Sequence, residues 1–384
     1  MNDERRNILR VAGIYAASIT GAGFASGQEI MQFFSVYKTG GFCGILLAGV
    51  LFSALGCIVL SKVYSERIRN YEEFIFPVFG WRIGWVIETA AIVFIFCMYS
   101  IMTAGAGNIL AQLTGMPFGT AVLIMGAISA ILIMTDIKGI ALFSSVLTPV
   151  LIAGIIIAGL CIIIMKDSPA FSVSGYISRI TNNWFVSSLL YVSYNSILAV
   201  MMLCSVQPYL KTRRTAVAAG ILGGTALALA ALVINTVIFL FYPSAADREI
   251  PIIDILQRIS GSAGWLYSVL LWLAMLVSAV TSGFCFTDRI YSLFRLDRRI
   301  TAFMLCVCAA PLSTLGFSRL ISLIYPVFGW LGLFMVIVIM ITGLQKPSRD
   351  PGRDEYGMRK EASVPAGNSA LRQPVSLSMA GFIW

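Results

Sequence analysis

The chain has 384 residues, 58% of them apolar and 12% charged, with a mean hydropathy of +0.88. That balance is too hydrophobic for a soluble fold and describes a polytopic membrane protein, with room for about ten spans of ~20 residues and no sizeable soluble domain beside them. A net charge of +9 would suggest nucleic acid in a soluble protein, whereas here it is first a topology signal. The complete absence of histidine removes histidine triads, zincin motifs and histidine relays, which argues against an enzyme.

The N-terminal charges are followed by an apolar run without a small-residue cleavage site, so a retained first helix is expected in place of a signal peptide. This run, about 8 to 36, contains Thr20-Gly21-Ala22-Gly23-Phe24-Ala25-Ser26-Gly27-Gln28-Glu29. Three glycines in seven residues weaken helical hydrogen bonding and free backbone groups, which a bilayer tolerates only where they face protein, water or ligand. A carboxylate at mid-span costs ~3 kcal/mol on insertion scales and by default marks a functional site. The stretch is expected to be a helix broken at a midplane binding site; the alternative is a glycine-mediated helix contact with Glu29 near the interface.

Further apolar runs place spans near 41 to 61, 84 to 112, 117 to 135, 140 to 165, 184 to 210, 215 to 241, 264 to 291, 300 to 315 and 320 to 344. With the N-terminus inside, 21 of the 27 Lys and Arg fall in inside segments and 6 (Lys38, Lys166, Arg179, Arg248, Arg258 and Arg319) outside. This asymmetry places both termini in the cytoplasm and makes nucleic-acid binding unnecessary. The eight cysteines all lie in apolar segments as expected free thiols, and Cys306-x-Cys308 has no second pair at zinc-finger spacing. The external segment 242 to 262 contains an amphipathic run, Ile252 to Ile259, which is either a short surface helix capping a vestibule or an interfacial segment. After Leu344 the chain turns polar and charge-rich, and 345 to 384 reads as a disordered cytoplasmic tail with an apolar ending too short to span.

An internal repeat orders the spans. Ser100-x-x-Thr103-x-Gly105 recurs as Ser278-x-x-Thr281-x-Gly283 at an offset of 178, and Thr148-Pro149-Val150 recurs as Tyr325-Pro326-Val327 at 177. Two halves of five helices follow, about 8 to 165 and 184 to 344 within a transporter domain of 1 to 344. Five being odd, the halves have inverted topology. The symmetry partner of the break at Gly21 to Gly23 then falls near Ser193 to Ser196 in span 6, where polar residues cluster. Span 6 is expected to be broken there, the alternative being a continuous helix whose Ser and Asn bind its neighbours.

Gly-Ala-Gly-Phe-Ala-Ser-Gly-Gln-Glu, opening a ten-span chain, resembles the YkvI-like bacterial membrane proteins, grouped with the amino acid, polyamine and organocation transporters of the LeuT fold. The resemblance covers 8 to 344 and implies an all-α 5+5 inverted repeat with helices 1 and 6 broken. It also implies a sodium site built from the carbonyls of Ala17 and Thr20, the carbonyl of Ser278 and the hydroxyls of Thr281 and Ser282, a donor set suited to a hard cation. The second sodium site of the amino-acid and neurotransmitter branch is not expected, because Phe24 stands where its asparagine would be. No lysine lies on span 5 to replace sodium as in some proton-coupled relatives, while Glu29 remains a candidate proton carrier. Free amides at Gly21, Ala22 and Gly23 and near Ser193 and Asn195, with the hydroxyl of Tyr99, would hold a substrate carboxylate.

These readings describe a secondary transporter of the bacterial inner or plasma membrane, multi-pass, moving a small organic solute such as an amino acid or related amine. Sodium or protons would drive it, and one bundle (spans 1, 2, 6 and 7) would rock against the remaining spans. Beyond the lipid bilayer and the solute no partner or cofactor is expected, nucleic acid included; the oligomeric state is open. The rival from another class is a non-transporting receptor, since germinant receptors resemble this fold. A channel has no repeated filter or charge ring to support it.

Overall fold

Helix is the only regular structure among the described residues of the computed structural model, which are 2–134, 181–241 and 249–344 with isolated positions between 150 and 159. Span 5, its Thr148-Pro149-Val150 match and the tail beyond 344 lie outside or largely outside them. The first span is three helices in succession, α1 (Asn2–Ile19), α2 (Ala22–Ala25) and α3 (Gln28–Phe33). Then come α4 (Thr39–Glu66), α5 (Tyr71–Thr114) and α6 (Phe118–Met134), followed by α7 (Trp184–Ser205) and α8 (Arg213–Leu240). A short α9 (Pro251–Ile259) precedes α10 (Gly261–Phe294), α11 (Arg298–Ser313) and α12 (Phe317–Leu344). Nine of the ten expected spans coincide with these helices. Six of them, α4, α5, α7, α8, α10 and α12, are long and apolar enough to cross a membrane, and the fold is that of an all-α membrane protein.

Helix starts and stops follow local chemistry. Asn183, Thr212, Ser260 and Asp297 each accept a backbone N–H of the helix that follows, capping α7, α8, α10 and α11. α5 carries Pro77 and then bends at Gly80 (φ 75°, ψ 170°), a conformation open to glycine, so 71–79 runs at an angle to the spanning part. Arg289 near the end of α10 ties the two parts together, with Nη2 2.8 Å from Glu72 and 2.5 Å from the buried Glu88.

Lipid gives helices no hydrophobic reason to associate, so close backbone packing does that work. α4 and α8 meet along a seam of small residues. A Cβ at Gly220 would lie 2.5 Å from the Cys57 amide, and one at Gly56 would lie 2.7 Å from the Tyr15 ring and 3.1 Å from Gly220. Tyr15 of α1 sits in the same seam and donates its hydroxyl to Phe52 O at 2.8 Å.

Span 6 departs from expectation. α7 is continuous from Trp184 to Ser205, and the polar cluster expected to break it is absorbed by the helix. Ser193 Oγ donates to Leu189 O (2.6 Å), Asn195 Nδ2 to Tyr191 O (3.0 Å) and Ser196 Oγ to Val192 O (2.5 Å). Back-bonding of this kind satisfies the side chains without releasing the backbone.

Candidate functional site

The first span is broken where its glycines stand. Gly21 is extended (φ −80°, ψ −176°), and its N–H turns to Ile19 O at 2.9 Å, so the carbonyl of Ala17 loses the amide that would continue the helix. One turn of helix follows, and a second break comes at Gly27 (φ 80°) in the left-handed region, with Ile252 and Ile238 packed against it. Ser26 Oγ donates to Gly23 O (2.6 Å) and accepts the Gln28 N–H (3.1 Å), holding the second turn.

Glu29 is the centre of the arrangement. It sits in the first turn of α3 and is 4% exposed, so it faces protein and not lipid. Its Oε2 accepts the Tyr194 hydroxyl of α7 at 2.8 Å and its Oε1 the Tyr325 hydroxyl of α12 at 3.3 Å. The carboxylate fills the space a Cβ at Gly23 would need, which explains why the residue is glycine although its helix tolerates others. Around it the rings of Tyr194 and Tyr325 lie 4.3 Å apart, with Phe94 6.3 and 6.4 Å from them and Phe33 5.5 Å from Tyr194.

On the α9 side the site is closed. α9 packs its apolar face inward, with Ile252, Ile253, Ile255 and Leu256 buried, and Ile252 N–H reaches Ser26 O at 3.4 Å. Tyr267 of α10 donates to Ala25 O at 2.7 Å. Gln28 bonds Ser318 Oγ, Gln32 Nε2 reaches Ser318 O at 2.9 Å, and Ser318 N–H donates to Glu249 at 2.7 Å. The amphipathic run is thus a helix packed over the break.

The other residues singled out in the sequence distribute as follows. Gly21, Ala22 and Gly23 form the break. Ser193 and Asn195 offer no free amides, because α7 is continuous, and their side chains bond back along it. Tyr99 is turned away: its hydroxyl pairs with Ser129 of α6 at 2.7 Å and its ring packs on Gly283. Ser278, Thr281 and Ser282 share one face of α10 at helical spacing, partly buried, and make no hydrogen bond among the described residues, unlike the back-bonded hydroxyls of the other spans. α10 meets the first span chiefly through α2, and Thr20 Oγ1 is bound to Ala16 O at 2.9 Å, so among the described residues no hydrogen bond gathers Ala17 and Thr20 with the three hydroxyls. Tyr194 and Tyr325 are not legible as site residues in the sequence. The only signal is Tyr325 in the repeat match with Thr148-Pro149-Val150.

No family model matches the chain. It is 26% identical over 355 residues to the uncharacterized membrane protein YkvI of Bacillus subtilis (strain 168), covering 88% of this chain and 96% of that one. It is also 26% identical over 327 residues to the uncharacterized protein YyaD of the same organism, covering 84% and 93%. Among solved structures it resembles the inward facing conformation of Mhp1 (TM-score 0.58, 17% identity, 87% of this chain and 75% of that one). It also resembles MhsT in complex with L-phenylalanine (0.55, 15%, 88% and 92%) and a Na+-coupled sialic acid symporter in a substrate-bound outward-open state (0.55, 14%, 88% and 79%). Over most of its length the chain is thus similar to YkvI and YyaD, and it shares the LeuT fold of these solved structures.

Proposed function

We propose that the chain is a secondary active transporter of a small organic solute, an amino acid or related amine, driven by sodium or protons. The observation that carries this reading is the doubly broken first span, whose buried Glu29 is gripped at once by α7 and α12. A buried carboxylate held between separate helices marks a point where ligand or proton binding and helix movement are linked. The likeness to Mhp1, MhsT and the sialic acid symporter supports alternating access, and the charge asymmetry supports a plasma-membrane protein with both termini in the cytoplasm.

For the coupling ion, the hydroxyls of Thr281 and Ser282, which have no partner among the described residues, and the Ala17 carbonyl released at the break are the donors that would surround sodium once α1 and α10 approach, with Thr20 and Ser278 completing the set. Glu29 is the corresponding group for a proton. The continuity of α7 favours a second reading, a receptor that binds the solute without transporting it, because one of the two expected hinges is missing.

The test is uptake of labelled amino acids and amines into proteoliposomes with and without a sodium gradient. Thr281→Ala should lose sodium dependence while Thr281→Ser retains most of it, because the oxygen is kept. Sodium activation unchanged in the alanine variant would remove the sodium site, and saturable binding without any uptake would favour the receptor.

A further inference from the structure

Resting on that reading, we propose that the solute is an organic cation, and that Glu29, inside its ring of aromatic side chains, holds the ammonium group in competition with protons. Glu29 makes no ion pair among the described residues; its partners are two phenol hydroxyls. Span 5 has no Lys or Arg between 139 and 165, and the basic residues of the described spans stand toward their ends. Two phenol hydroxyls offset only part of the cost of ionising a carboxylate removed from water, so the site favours a proton or a cation that the described residues do not supply.

The walls are suited to the cation. The two tyrosines that hold the carboxylate stand in one aromatic cluster with Phe94 and Phe33, and aromatic faces attract ammonium groups most strongly where water is excluded. A second observation points to a missing ligand. The hydroxyl of Tyr191, a residue 2% exposed whose ring lies 5.6 Å from Tyr194, has no hydrogen-bond partner among the described residues. An anion is opposed there, since a second carboxylate would be repelled by Glu29 and the amides that a broken span 6 would have supplied are occupied within α7, leaving the first amides of α2 as its donors.

Among the described residues the titratable groups facing Glu29 are Tyr191 and Tyr194 of α7 and Tyr325 of α12. α2 brings none, α5 brings Phe94 and Met102, with its Glu88 already paired to Arg289, and the charged residues of α8, Arg213 and Arg214, lie in its first turn. One carboxylate therefore has to serve both positive charges in turn. A proton on Glu29 removes the partner of the ammonium group, and a bound ammonium group opposes protonation.

The experiment is ligand binding to the purified full-length protein, read by thermal stabilisation and by competition. Methylammonium, choline, putrescine and phenethylamine are compared with phenylalanine and 3-phenylpropionate, at about pH 8 and about pH 5.5, where all four amines remain cationic. At least one amine should bind, roughly tenfold or more weakly at the lower pH, while 3-phenylpropionate does not. Glu29→Gln should lose roughly ten- to a hundredfold in affinity, the worth of a charge-assisted contact. Should that variant misfold, Tyr194→Phe and Tyr325→Phe, which keep the rings and lose the donors, should bind the amine still but with altered pH dependence. The inference is overturned if none of the amines binds, if Glu29→Gln binds as well as the parent, or if phenylalanine binds and is taken up while the amines are ignored. That last result would leave the transport reading intact. Glu29-dependent amine binding without uptake would do the opposite, supporting the cation site and removing transport.

Discussion

Gly23→Ala adds one methyl group, and the structure assigns its cost to a neighbour six residues away. The new Cβ would occupy the position of Glu29 Oε1, with Glu29 Cδ only 3.2 Å off, so the carboxylate must leave its place between Tyr194 and Tyr325. A hydrogen bond contributes about 0.5–1.5 kcal/mol net to stability. The Tyr194 contact at 2.8 Å is the stronger and the Tyr325 contact at 3.3 Å the weaker, so the displacement should cost about 1–3 kcal/mol in all. Nothing else opposes the substitution. Gly23 lies in helical α2, where alanine is intrinsically better than glycine by roughly 0.5–1 kcal/mol, and its other neighbour, Met102 Cε, is at 3.5 Å. A double-mutant cycle with Glu29→Ala isolates the effect. Thermal unfolding of the four purified proteins in one detergent should show Gly23→Ala lowering the melting temperature by several degrees in the parent and leaving it level or slightly higher in the Glu29→Ala background. Equal losses in both backgrounds would mean that Gly23 is needed for its backbone and not for the carboxylate it admits, and the reasoning about the site would fail with it.

Two further outcomes follow from the packing. Arg289→Gln leaves Glu88, whose side chain is 5% exposed, without its cation and should destabilise by about 3 kcal/mol, whereas the double variant Arg289→Met, Glu88→Leu should recover most of the loss in a melting experiment. Gly220→Val drives a branched side chain into the backbone at Cys57, which cannot yield as a side-chain tip could, so the protein should elute aggregated in size-exclusion chromatography. A monodisperse peak with parental stability would show that α4 and α8 are not held by their seam.

The sequence exposes features whose physics is local. Glycines together with an acid inside an apolar run have few benign explanations, and they sit at the observed break. Ile252 to Ile259 carries its apolar stripe openly and forms α9. Span 6 misleads because Ser and Asn at mid-span satisfy either a break or an intact helix, and only the carbonyl each one finds tells them apart. Tyr99 stands out ahead of Tyr194 and Tyr325 in the sequence for a related reason. A tyrosine among apolar residues says nothing of the direction of its hydroxyl, and Tyr325 reaches Glu29 from 296 positions away. That meeting depends on how α12 lies against α3, which no local pattern encodes.

α2 is a single turn with a pivot at each end, Gly21 before it and Gly27 after it. Its two neighbours are anchored separately, α1 through Tyr15 in the α4–α8 seam and α3 through Gln28 and Gln32 at Ser318. A tilt of α1 can therefore be taken up at Gly21 without pulling on α3, and a tilt of α3 can be taken up at Gly27 without pulling on α1. Two doors on one hinge would open together and let ions run down their gradient. Two doors on two hinges can be worked one at a time, and in the transporter proposed above the one-turn α2 would be the part that keeps both from opening together.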